Sequence, residues 1–164
     1  MNVARAIELA YAQTLREYAE LGAGCAVRAW QSLRNDPTWD VEKDRTFPMV
    51  DVRVSAPRFD DNAHTMYCEA AVLCGTKTDD DIDHAAIQSL YGAVQGVCDL
   101  LYAQFLAGTD GTELTYFKSV LTTELGASFH FGGFTFADGL APYDNSGVNM
   151  IGISMQVHFS RTDF

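Results

Sequence analysis

Basic residues are scarce in this chain: Lys and Arg number 11 against 22 Asp and Glu, a formal charge of −11 over 164 residues. So acidic a surface repels phosphate backbones and anionic lipid, which argues against direct duplex or membrane binding. It is compatible with lining a channel through which DNA slides without sticking. No stretch approaches the ~20 consecutive apolar residues of a membrane span. Met1 to Leu21 interleaves Arg5, Glu8, Arg16, Glu17 and Glu20 with its apolar positions, so no signal-peptide core is expected. Cys25, Cys68, Cys74 and Cys98 contain no Cys-x-x-Cys pair. If Cys68 and Cys74 share one extended strand they stand ~20 Å apart, beyond disulfide reach. Buried reduced thiols, and folding in a cytoplasm, are the expectation.

Catalytic signatures are missing as well. There is no Gly-x-Ser-x-Gly elbow, no P-loop, and no Gly-x-Gly-x-x-Gly after a strand. Gly22-Ala23-Gly24 follows a helical pattern, the wrong context for a phosphate cradle. His64, His84, His130 and His158 show no His-x-x-x-His spacing and no carboxylate to complete a zinc triad. Asp79, Asp81 and Asp83 match the first three ligand positions of a calcium loop. The sixth position, which needs glycine, is His84, and the twelfth, which needs an acid, is Leu90, so that reading fails. An acidic helix start is the better account. No enzyme activity, metal or cofactor is expected.

What is present is a globular composition, 48% hydrophobic and 12% aromatic, of a size for a single domain over 1–164. Val3, Ile7, Tyr11, Leu15, Tyr18 and Leu21 form a helical stripe, which Gly22-Ala23-Gly24 stops. Cys25 to Leu33 reads as a strand and Arg34 to Thr46 as a surface loop, with Trp39 and Val41 pinning it to the core. Pro48 opens a strand in which Val50, Val52 and Val54 alternate with Asp51, Arg53 and Ser55. Met66, Cys68, Ala70, Val72 and Cys74 line one face of the next strand, antiparallel to it. Asp79 to Ala107 is the longest periodic element, with Ile82, Ala86, Leu90, Val94, Val97, Leu101 and Phe105 facing the core, Thr78 as N-cap and Gly108 closing it. Leu114, Phe117, Leu121 and Leu125 suggest a shorter helix.

The last forty residues read as two strands. Phe129 and Phe131 have one parity and Phe134 and Phe136 the other. A one-residue bulge at Gly132-Gly133 puts all four on one face. Ile151, Ile153, Met155, Val157 and Phe159 alternate with Gly152, Ser154, Gln156, His158 and Ser160 in the final strand. The expected fold is α+β: a mainly antiparallel sheet of four to five strands, with the N-terminal and long central helices packed on one face. Two hairpin loops, Pro57 to His64 and Asp138 to Gly147, exceed the two to five residues a tight hairpin needs. Arg58, Phe59, Asp60 and Asp61 in the first, and Leu140, Pro142, Tyr143 and Asp144 in the second, mix apolar and polar groups in the manner of a protein contact.

In its order of elements the chain resembles the tail terminator (tail completion) proteins of long-tailed bacteriophages. The resemblance spans nearly the whole sequence. It rests on the N-terminal helix ending in Gly22-Ala23-Gly24, then Val27-Arg28-Ala29-Trp30, the proline-led strand Phe47-Pro48-Met49-Val50-Asp51-Val52, the strand Met66 to Cys74 running into Thr78-Asp79-Asp80-Asp81 and the long helix, and the strand Met150 to Arg161. It implies a structural virion protein, assembled in the host cytoplasm, forming a ring of typically six copies. Such a ring caps the tail tube, halts its growth and presents a surface to the head-tail connector, with DNA passing through the lumen unbound. The candidate loop residues then become subunit or tube contacts. The alternatives are another neck or minor tail component, or a small cytosolic ligand-binding or enzyme domain.

Overall fold

Two periods in the sequence, two for strands and between three and four for helices, sort the chain into a sheet and a layer of helices. The computed structural model describes residues 2–22, 24–29, 47–59, 65–137, 140–145 (as backbone) and 147–162. The elements run α1 (Val3–Tyr18), β1 (Ala26–Ala29), β2 (Met49–Val54), β3 (Arg58–Phe59), β4 (Met66–Lys77), a 3₁₀ turn (Thr78–Asp80), α2 (Ala85–Ala107), α3 (Thr112–Leu125), β5 (Phe129–Phe136), β6 (Leu140–Asn145) and β7 (Val148–Arg161). The sheet order is β1-β2-β4-β7-β5, with β3 on β4 and β6 on β7. Among the described residues only β1 against β2 is parallel, and the other pairings are antiparallel. The fold is α+β.

The spine is β4 against β7, paired from Met66 opposite Phe159 to Lys77 opposite Val148. Each has two shorter strands end to end along its other edge. β2 and then β3 run along β4, while β6 and β5 share β7. That is why seven strands occur among the described residues where four to five were expected: parts of two loops of the sequence reading are edge strands. The reading of Asp138 to Gly147 as a loop is corrected here. Leu140–Asn145 pairs with β7, and Asn145 opposite Val148 leaves a two-residue turn, with Gly147 at φ 78°. A turn of that length requires positive φ, which glycine supplies without a Cβ clash. Arg34 to Thr46, with Trp39 and Val41, lies outside the described residues.

The even-numbered side chains Val50, Val52, Cys68, Ala70, Val72 and Cys74 are buried under the helices with Ile153, Met155, Val157 and Phe159 of β7. Gly132 is the extra residue of a bulge between Phe131 and Gly133. Because of it Phe129, Phe131, Phe134 and Phe136 lie opposite Arg161, Phe159, Val157 and Met155, all of one parity on β7. Phe131 and Phe134 then meet Phe105 and Phe117 edge to face, and Phe136 meets Tyr102. Each such ring pair contributes about 0.5–1.5 kcal/mol beyond its buried area. The bulge expected from the two glycines is present and does what it was expected to do.

Helix α1 departs from the expected single stripe. Ala4, Ala6, Ala10 and Ala12 are buried along with Ile7, Tyr11 and Leu15, so most of its circumference is covered. Small side chains let the sheet approach on one side and α3 on the other. Two polar groups inside are satisfied: Thr14 donates to the Ala10 carbonyl at 2.7 Å, and Glu8 accepts the Val54 N–H at 3.0 Å. The helix ends at Tyr18, one turn short of Leu21, where the Ala19 N–H bonds the Leu15 carbonyl.

Candidate contact surfaces

The acidic run Thr78 to Asp83 was expected to begin the long helix with Thr78 as its cap; it does neither, and Thr78–Asp80 forms a separate 3₁₀ turn. Asp81 is buried instead. Its carboxylate accepts the Thr76 hydroxyl at 2.8 Å and the Ala86 and Ile87 N–H groups at 2.9 and 3.0 Å. Turning Asp81 inward interrupts the helical path, so α2 starts only at Ala85, after His84 in a left-handed conformation at φ 60°. Ile82, expected in the core, is thrown outward to 79% exposure, and Ala86 is exposed as well. Burial would raise the Asp81 pKa, but bonds from Thr76, Ala86, Ile87 and Asn149 outweigh it and hold the carboxyl below its ordinary value. Asn149 also donates to the Asp81 carbonyl at 3.1 Å, and the Thr78 N–H bonds the Gly147 carbonyl at 2.9 Å. The segment is thereby tied to the β6–β7 turn.

The eight candidate contact residues fall into two groups. Arg58 and Phe59 form β3, opposite Tyr67 and Met66, and Phe59 is 70% exposed; Asp60 and Asp61 lie outside the described residues. Leu140, Pro142, Tyr143 and Asp144 form most of β6, with Tyr143 opposite Met150 and Asp144 opposite Asn149. Met66 pairs with Phe159 and Gly75 with Met150, so the groups occupy opposite ends of the β4–β7 spine. Nine residue steps along β4, from Met66 to Gly75, separate those two rows, roughly 30 Å. They also flank opposite edges of the spine. No single site contains both.

The polar side of the sheet carries His158, whose Nε2 lies 2.9 Å from the Thr135 hydroxyl and whose ring meets Tyr67. His84 and His130 are exposed on other elements, and His64 is not among the described residues. Among the described residues no three His, Cys, Asp or Glu side chains gather as a metal-binding group. Thermal unfolding with and without EDTA is accordingly expected to coincide; a fall in the midpoint on chelation would contradict this. Burial pushes the Cys68, Cys74 and Cys98 thiols up to about 12, a poor environment for a reactive thiolate. All four cysteines are free. Among the described residues no helix is long and apolar enough to cross a membrane. No family model matches the chain, and no curated protein matches its sequence.

Proposed function

We propose that this chain is a tail terminator of a long-tailed bacteriophage: a structural subunit that forms a ring, typically of six copies, on the end of the tail tube and joins it to the head connector. The observation that carries the reading is the placement of the two candidate contact segments at opposite ends of one rigid spine. A ring that halts one polymer and receives another partner needs two separate faces. β3 supplies one and the β6–β7 hairpin the other. The charge of −11 per copy suits a conduit that DNA crosses without adhering. The order of elements that carries the resemblance is consistent with the same reading.

Because β6 is a paired strand, deleting Leu140 to Tyr143 would bare the edge of β7, so point changes make the cleaner test. Phe59→Asp and Tyr143→Asp, supplied separately in place of the natural chain during phage growth, are each expected to leave a folded subunit. Electron micrographs are expected to show a distinct defect for each, tails of uncontrolled length in one case and tails of correct length unjoined to heads in the other. Normal, joined tails from both variants would remove these segments from the account.

A further inference from the structure

We infer that the hollow between the end of α1 and the middle of α2 is a cation site, which receives an arginine side chain presented by a partner protein. The inference is independent of the ring reading, which makes no use of this surface.

The hollow holds about 450 Å³ and is open along one side. Tyr18 and Glu20 border it from the end of α1, and Ser89, Gly92, Gly96 and Leu100 from α2. Two local features shape it. Helix α1 stops at Tyr18, and Ala19 is extended at φ −86° and ψ 135°, which carries Glu20 out of the helical path to the rim. On α2 nothing lies within 4 Å of where a Cβ would stand on Gly92 or Gly96, so the hollow reaches down to the helix backbone.

Electrostatics select the occupant. Glu20 is the one charged residue of the lining, exposed, and it forms no ion pair among the described residues. It stands just past the C-terminus of α1, where unpaired carbonyls already concentrate negative charge and a cation is the stabilising companion. Arg16, the basic residue of that last turn, is engaged instead with the Val27 carbonyl of β1. Glu17 and Glu113 add to the negative field: together with burial, the larger cause, they raise the Tyr18 phenol above its ordinary pKa. Asp99, three residues beyond Gly96, is exposed as well. A site of this sign repels anions, and repels a second copy at −11; it attracts a cation.

The side chains present narrow that cation to arginine. A planar guanidinium can offer two N–H groups to the Glu20 carboxylate and lie against the Tyr18 ring, while its alkyl stem packs on Leu100, 46% exposed. Tyr116 holds the Tyr18 ring in place, edge to face with centroids 5.5 Å apart. A lysine ammonium is a point charge that cannot make the paired contact. Small-molecule sites enclose most of their ligand, whereas a hollow open along one side suits a side chain arriving on another protein.

NMR titration of the isotope-labelled full chain with the blocked tripeptide acetyl-Gly-Arg-Gly-amide tests it, beside the lysine and citrulline counterparts, citrulline being the neutral isostere of arginine. The Gly92 and Gly96 amide signals should shift saturably with the arginine peptide. A dissociation constant of ~10 mM is expected, because one exposed ion pair and one ring contact are each modest. The lysine peptide should bind at least ~3-fold more weakly and the citrulline peptide not measurably, and added salt should weaken the arginine peptide. Glu20→Gln, and Gly92→Leu to fill the hollow, should each weaken binding at least ~5-fold with no fall in thermal midpoint, since both positions are open to solvent. Shifts that stay linear, or that match for arginine and citrulline, overturn the inference, as does binding indifferent to both variants. Free arginine, whose own carboxylate Glu20 repels, should bind more weakly than the blocked peptide; tighter binding would overturn the assignment to a protein side chain.

Discussion

Replacing Gly133 by Val is expected to cost about 3–5 kcal/mol of folding stability, from backbone strain and overpacking together. Gly133 has φ 124°, a region a β-branched residue enters only under strain, and it directly follows the bulge residue. A Cβ there would stand 2.2 Å from Cζ of the Phe105 ring, far inside contact distance. The ring cannot simply step aside, because Phe131 and Phe134 hold it edge to face. Either the strand shifts register, which turns two phenylalanines outward, or α2 lifts off the sheet. Urea unfolding at constant slope reads the loss. Gly96→Ala is the control, since its Cβ meets nothing and helix propensity should raise stability by up to about 1 kcal/mol. A Gly133→Val midpoint within experimental scatter of the natural chain would show that the close approach is not a constraint.

The second large effect belongs to Asp81. Asp81→Ala removes the acceptor for two N–H groups at the start of α2 and for the Thr76 hydroxyl, with an expected loss of about 2–4 kcal/mol. Asp81→Asn keeps one acceptor oxygen and should lose about half as much. The pH dependence follows from the lowered pKa. The unfolded carboxyl titrates near ~3.9 and the folded one below that, so the contribution is complete above the unfolded value. It falls away as pH drops through the folded value. The stability gap between natural chain and Asp81→Ala should thus be flat at neutral pH and narrow below about pH 4. A gap that widens on acidification would mean that the carboxyl is not held ionised by its donors.

Much of this architecture is legible in the residues themselves. The valines of β2, the long face of β4 and the alternation of β7 each announce a strand with one side buried, and the paired glycines of β5 announce a bulge. What escaped has identifiable physical causes. Asp81 caps the N–H groups five and six residues ahead, whereas cap spacing in sequence is read at two or three. The helix pattern therefore ran straight through it. The alanines of α1 carry little hydrophobic weight, so its burial on two sides did not register. β6 holds a proline and two polar residues, which read as a loop because an edge strand needs ladder bonds on only one side. For the candidate contacts, the sequence marked β3 and β6 as segments of interest. Their separation along the spine came from pairing registers that no local pattern encodes.

The central claim is that this chain ends a tail tube. The most direct measurement is the length distribution of tail tubes grown from a purified tube subunit encoded alongside this chain, with the 18.0 kDa chain added at a fixed time and the products viewed by electron microscopy. The account predicts that growth stops soon after addition and that one end of each tube carries a ring of several copies. Tubes that continue to lengthen at the same rate, with bare ends and the added chain left free in solution, would contradict it.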